Sequence, residues 1–144
     1  MEQTFNTTFE RQINAAIEKV WLAWADASLW SSWVFMNMKT DFRVGGRYDN
    51  GKDEGGEYLE IIPMQKIKFT WEMKRYRPGS IIEIEFESTG ESTLCKLLHS
   101  NLQTLNDVHD AELGWNWALY SMQCFLETGK PVSWEAWENK MVLS

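Results

Sequence analysis

The side chains in this chain best suited to metal binding or nucleophilic chemistry are His99, His109, Cys95 and Cys124, with the carboxylates near them. His109 sits among Asp107, Asp110 and Glu112 in the stretch LNDVHDAE. A metal needs such groups converging on one point, and helix neighbours one or two apart do not face each other. The stretch reads instead as the acidic lead-in to a helix, where negative charge suits the dipole. Cys95 and His99 are four apart on one strand face, about 13 Å from each other, too far for a thiol–imidazole pair. Cys124 falls on a helix that could approach His99, but no spacing in the sequence demands it. Both cysteines read as buried, inert thiols. No catalytic residue, metal or cofactor is expected.

Tyr58 and Glu60 share a parity in their strand. A carboxylate inside an apolar cavity would have a raised pKa and could act as an acid or hold a ligand. If Tyr58 faces the cavity, Glu60 does too unless a bulge intervenes; Leu59 and Ile61 satisfy burial without a charge cost, so the favoured reading points those two inward.

The aromatic residues are the stronger candidates. Nine Trp, seven Phe and four Tyr in 144 residues must fill a core or line a cavity. Trp30, Trp33, Tyr48, Trp71, Phe86, Trp115 and Phe125 are the expected lining, with Leu119 and Met122 from the same helix as Trp115. His99, Tyr48 and Tyr120 would be the polar anchors. Pockets for small apolar ligands have this makeup, mostly hydrophobic with a few polar groups. The same residues could equally close the interior, and both outcomes stay open at this point.

The elements that must position these groups are legible. Phe5, Thr7, Phe9, Arg11 and Ile13 alternate along a first strand, Thr4–Asn14. Asn14 reads as an N-cap ahead of AAIEKVWLAWAD, and Ser28 as the start of a second short helix carrying Trp30 and Trp33. Gly45-Gly46 marks a bend or bulge within Asp41–Asn50. Strands are expected at Gly56–Ile62, Lys66–Glu72 and Ser80–Glu87, then one in which Thr93, Cys95, Leu97 and His99 share a face. Hairpin connections are expected at Tyr76–Ser80 and Ser88–Glu91. Gly114–Pro131 reads as a long helix whose stripe is Trp115, Leu119, Met122 and Leu126, closed by Gly129 and Pro131. A run of hairpin-linked strands followed by one long helix implies an α+β fold, with the helix across an antiparallel sheet. In the tail, Trp134, Trp137 and Met141 recur at helical spacing, to dock on the same chain or make an intermolecular contact.

The length suits one domain. A net charge of −7 argues against nucleic acid or an anionic membrane as partner. The polar first residues lack a signal-peptide core, no apolar run is long enough to span a bilayer, and free thiols suit a reducing compartment, so a cytoplasmic protein is expected.

Trp30 with Trp33, FRVGG at Phe42–Gly46, GEYLEIIP at Gly56–Pro63, IKFTWE at Ile67–Glu72, STLCKLLH at Ser92–His99, Gly114-Trp115 and ETGKP at Glu127–Pro131 follow one another in a telling order. The succession resembles the activator of heat-shock-protein-90 ATPase homologue family, within the START-like (SRPBCC) superfamily that includes the birch-pollen-allergen fold. The resemblance implies a helix-grip fold: a curved antiparallel sheet of about six strands wrapped round a long C-terminal helix, with two short helices after the first strand. Gly45, Gly46, Gly55 and Gly56 are placed to curve such a sheet, and Gly114 to let the helix approach it closely. It implies a START-like domain over residues 1–131, with 132–144 as a tail. It also implies a cavity between sheet and helix for a small hydrophobic ligand, in a monomer or homodimer. Two rival roles come with it: a regulator of a chaperone ATPase in the stress response, and an enzyme of the polyketide-cyclase type.

Overall fold

The computed structural model describes residues 3–52, 54–72 and 79–143, and in it the alternating segments join into one antiparallel sheet. The strands are β1 (Phe5–Ile13), β2 (Lys39–Thr40), β3 (Arg47–Asp49), β4 (Gly55–Ile62), β5 (Lys66–Thr70), β6 (Ile81–Ser88) and β7 (Thr93–Leu102). Their order is β1-β7-β6-β5-β4-β3-β2. The sheet thus has seven strands rather than about six. The extra pieces are β2 and β3, two short pairings within the region read from sequence mainly as a bend. Residues 73–78, which carry most of the expected Tyr76–Ser80 connection, lie outside the described residues.

Helices α1 (Ile17–Ala25) and α2 (Ala27–Val34) follow β1, and the long α3 (Leu105–Thr128) follows β7. The architecture is the α+β helix-grip arrangement. The cap of α1 is Ala16, without a side-chain bond, and not Asn14. Asn14 instead ties β1 to the end of α3, its N–H donating to Glu127 Oε2 at 2.8 Å. The second helix starts ahead of Ser28, because Asp26 accepts from the Leu29 N–H at 3.0 Å and caps it. Helix α3 also starts earlier than Gly114. Thr104 accepts from the Asp107 N–H at 3.0 Å, so the acidic lead-in is itself helical. Its end is as expected: Gly129 takes the left-handed cap at φ 82°.

One face of the sheet packs on the helices. Ile67 and Phe69 of β5, Ile82, Ile84 and Phe86 of β6, and Cys95, Leu97 and His99 of β7 all point into it. The reading of β4 needs correction. Tyr58 pairs with Phe69 while Glu60 pairs with Lys68, so one extra residue is inserted between them. This bulge puts Tyr58 and Ile61 on the inner face and turns Leu59 outward, 37% exposed. Glu60 stays outside, where Lys66 Nζ bridges it at 3.0 Å and Glu83 at 3.1 Å. A Cβ at Gly46 would collide with the Asp41 carbonyl oxygen, and one at Gly56 with that of Thr70, so both glycines permit backbone contacts where β3 and β4 bend.

The tail forms a fourth helix, α4 (Trp134–Leu143). It docks on the same chain: Trp134 sits edge-on to Trp117 at 6.0 Å, and the Trp117 indole N–H donates to the Val132 carbonyl at 2.8 Å. Ser121 pins this segment, donating to the Trp33 carbonyl at 2.7 Å and accepting from the Val132 N–H at 3.1 Å. No described helix is long and apolar enough to cross a membrane.

Candidate functional site

His99 is brought to the inner face by the alternation of β7 and meets α3 at Trp115. The Trp115 indole N–H donates to His99 Nδ1 at 3.0 Å, and Ser80 Oγ lies 2.5 Å from Nε2. An indole nitrogen only donates, so Nδ1 must be the acceptor and the imidazole proton sits on Nε2, directed at Ser80. Burial favours the same neutral form, holding the His99 pKa down to about 4 against an opposing pull from Asp107. The result is an oriented, uncharged imidazole under an aromatic wall.

Trp71 stands edge-on to Trp115 at 5.5 Å, and Trp30 from α2 lies 6.0 Å from Phe69 and 5.3 Å from Tyr48. Trp30, Trp71, His99 and Trp115 border a chamber of about 160 Å³, together with Val34, Met36, Glu54, Asp110, Ala111, Gly114, Trp117 and Ala118. Four of the residues singled out in the sequence therefore share a wall. The others lie elsewhere. Trp33 is fully buried behind Trp24, at 4.8 Å, with its N–H on the Ala23 carbonyl. Phe86 packs against Trp21 at 5.4 Å. Leu119 and Met122 are sealed in the core, and Phe125 packs half-buried beside it. Tyr48 donates its hydroxyl proton to the Thr70 carbonyl at 2.6 Å, and burial drives its pKa well above the usual phenol value. The Tyr120 hydroxyl accepts from Lys140 of α4 at 3.1 Å and does not border the chamber.

Sequence reasoning missed Gly114 as a lining residue. It does not bring the helix close to the described part of the sheet as expected, because a Cβ there would meet no described atom within 4 Å. Glycine inside a helix costs roughly 0.5–1 kcal/mol relative to alanine, which is the signal that could have marked it. Val34, Met36 and Trp117 were also missed. Val34 and Met36 lie at and just past the end of α2 and Trp117 lies in the middle of α3, all apolar and indistinguishable in sequence from core.

A larger groove of about 480 Å³ adjoins the chamber, walled by the end of α2, by α3 and by Ser133, Trp134 and Glu135. Phe35 stands at its edge, 50% exposed, in the left-handed conformation at φ 57° that ends α2. Bulky residues rarely hold that conformation without support. Here the Phe35 N–H is bonded to the Ser31 carbonyl at 3.0 Å and its ring stacks 6.5 Å from Trp117.

For reaction chemistry the buried groups are poorly placed. Burial pushes the Cys95 thiol up to about 12, which suppresses the thiolate. Cys124 is a second free thiol, partly buried on α3. Among the described residues no set of three or more His, Cys, Asp or Glu is placed to hold a metal.

A sequence profile of the family described as Activator of Hsp90 ATPase homolog 1-like protein matches residues 14–127. The fold is similar to the crystal structure of CalU16 from Micromonospora echinospora, with a TM-score of 0.81 at 23% identity over 95% of this chain and 82% of that one. It is similar to the Aha1 dimer from Colwellia psychrerythraea, with a TM-score of 0.78 at 21% identity over 88% and 98% of the two chains. It is also similar to PFC0360w, an HSP90 activator from Plasmodium falciparum, with a TM-score of 0.75 at 22% identity over 88% and 97%. No curated protein sequence matches the chain.

Proposed function

This chain belongs to the Activator of Hsp90 ATPase homolog 1-like family, and from that premise we propose that it is a binding module for a small apolar or aromatic molecule. The molecule is held between the sheet and α3 without chemical change. The observation that carries this reading is the neutral His99, clamped by Trp115 and Ser80 at the edge of a chamber whose walls include Trp30 and Trp71. Flat aromatic walls offer area and stacking, and His99, with both ring nitrogens held by Trp115 and Ser80, braces that wall rather than bonding the ligand. A buried imidazole with a pKa of about 4 is a weak base, and a thiol near 12 is a poor nucleophile at neutral pH, so binding is favoured over catalysis. We place the protein in the cytoplasm, where both free cysteines stay reduced.

Native mass spectrometry of the purified protein, compared with the same sample after denaturing extraction, tests the reading. A discrete extra mass released on unfolding is the expected result. A clean apo mass, with no thermal shift across a panel of apolar compounds, would refute it. A second reading, regulation of a chaperone ATPase, is supported by the likeness to PFC0360w over 97% of that chain. Its test is the ATPase rate of a heat-shock chaperone with and without this protein, and an unchanged rate removes it.

A further inference from the structure

Gly114 has no backbone reason to be glycine. It lies well inside α3 and is not among the residues with positive φ. Nor does steric crowding require it among the described residues, since a Cβ would meet none of their atoms within 4 Å. Glycine weakens the helix there, so its occurrence calls for a different explanation. The same position borders both the inner chamber and the outer groove, as do Val34, Met36, Asp110 and Trp117. The two spaces are therefore neighbours across the one helix position that carries no side chain. The chamber alone, at about 160 Å³, is smaller than ordinary ligand pockets, whereas the groove adds about 480 Å³.

We infer that Gly114 is the passage joining the chamber to the groove, and that the site takes an uncharged, elongated molecule: a flat ring beside His99 and Trp71, and an apolar tail running past Gly114 to lie against Trp134. This rests on the binding reading above and extends it to the class of ligand. The ring end meets Trp30, Trp71 and Trp115 and the braced His99 ring, with Glu54 and Asp110 also on the chamber wall. The tail end meets Phe35, Leu113 and Trp134, and Phe35 and Leu113 are exposed large hydrophobics. The groove includes carboxylates at Asp110 and Glu135 and no cationic side chain among its described lining residues, which disfavours an anionic tail end. The outer wall is held in place by the Trp117–Val132 and Ser121–Val132 hydrogen bonds, so the C-terminal segment sets the length of tail that fits.

Calorimetric titration with 4-ethylphenol and 4-octylphenol tests this, because the two share a ring and differ only in the tail. Wild type should bind the octyl compound about tenfold or more tightly than the ethyl compound. Gly114→Leu should abolish that advantage. Trp134→Ala should weaken octylphenol by about threefold or more and spare ethylphenol. Circular dichroism checks folding, and if Gly114→Leu does not fold, Trp134→Ala decides. Equal losses for both compounds in Trp134→Ala, or no loss of octylphenol in a folded variant, would overturn the passage. Binding of ethylphenol by wild type with no gain for octylphenol would overturn the passage and leave the pocket standing. Binding of neither would overturn both.

Discussion

The interior has two aromatic regions that differ in what they leave open. In one, Trp33 lies against Trp24, Phe86 against Trp21, and Leu119 and Met122 fill the space between helices and sheet without remainder. In the other, Trp30, Trp71 and Trp115 stand around a chamber with His99 in its wall and a glycine where a helix side chain would be. Both regions use the same residue types. Aromatic residues alone therefore do not mark a site; the polar group oriented beside them and the missing side chain do.

The largest effect that tests this contrast is stability. Trp33→Ala should cost about 3–5 kcal/mol, because it opens a cavity in a sealed core, whereas Trp71→Ala, at a partly exposed ring, should cost about 1–2 kcal/mol. Denaturant unfolding of the two variants measures both, and equal costs would erase the distinction.

Next in size is the pH response of His99. Its ordinary pKa of 6.5 falls to about 4 in the folded protein, so between those values the unfolded chain binds a proton that the folded chain does not. The stability from keeping it neutral is fully present above the ordinary value and is lost as pH falls through the window, up to about 3 kcal/mol. Unfolding curves between neutral pH and about pH 4 should flatten in His99→Gln relative to wild type. Identical slopes would mean the imidazole is not held neutral.

Two glycines sharpen the comparison further. Gly56→Ala drives a methyl into the Thr70 backbone and should destabilise by about 1–3 kcal/mol. Gly114→Ala adds a methyl that meets no described atom within 4 Å and should stabilise the helix by about 0.5–1 kcal/mol. The opposite signs, read from melting temperatures, are the prediction. The smallest effect is Tyr58→Phe. The Tyr58 hydroxyl is buried with no hydrogen-bond partner among the described residues, so removing it should leave stability unchanged or raise it by up to about 1 kcal/mol in chemical denaturation.

The strands were readable because one face of the sheet is buried, and period-two alternation in β5, β6 and β7 records it directly. The ends of α1 and α2 were less readable, since Asp26 caps α2 ahead of the expected Ser28 and Ala16 caps α1 with no side-chain bond. A bulge in β4 can be named from the sequence but not established there, because one inserted residue leaves composition unchanged while reversing which side chains face inward. At the candidate site, Trp30, Trp71, His99 and Trp115 could be proposed from type and parity. Which aromatics would close on one another, as Trp33 does on Trp24, depends on packing between elements distant in sequence. Gly114 was noticed for the wrong reason: close approach and open space both call for glycine, and only the folded neighbours tell them apart.

The measurement that bears most directly on the two-region account is an NMR titration of the indole N–H signals with 4-ethylphenol, assigned by single substitutions. The account predicts shifts confined to Trp30, Trp71, Trp115 and Trp117, with Trp21 and Trp33 unmoved. Shifts at Trp21 or Trp33, or no shifts at any tryptophan, would contradict it.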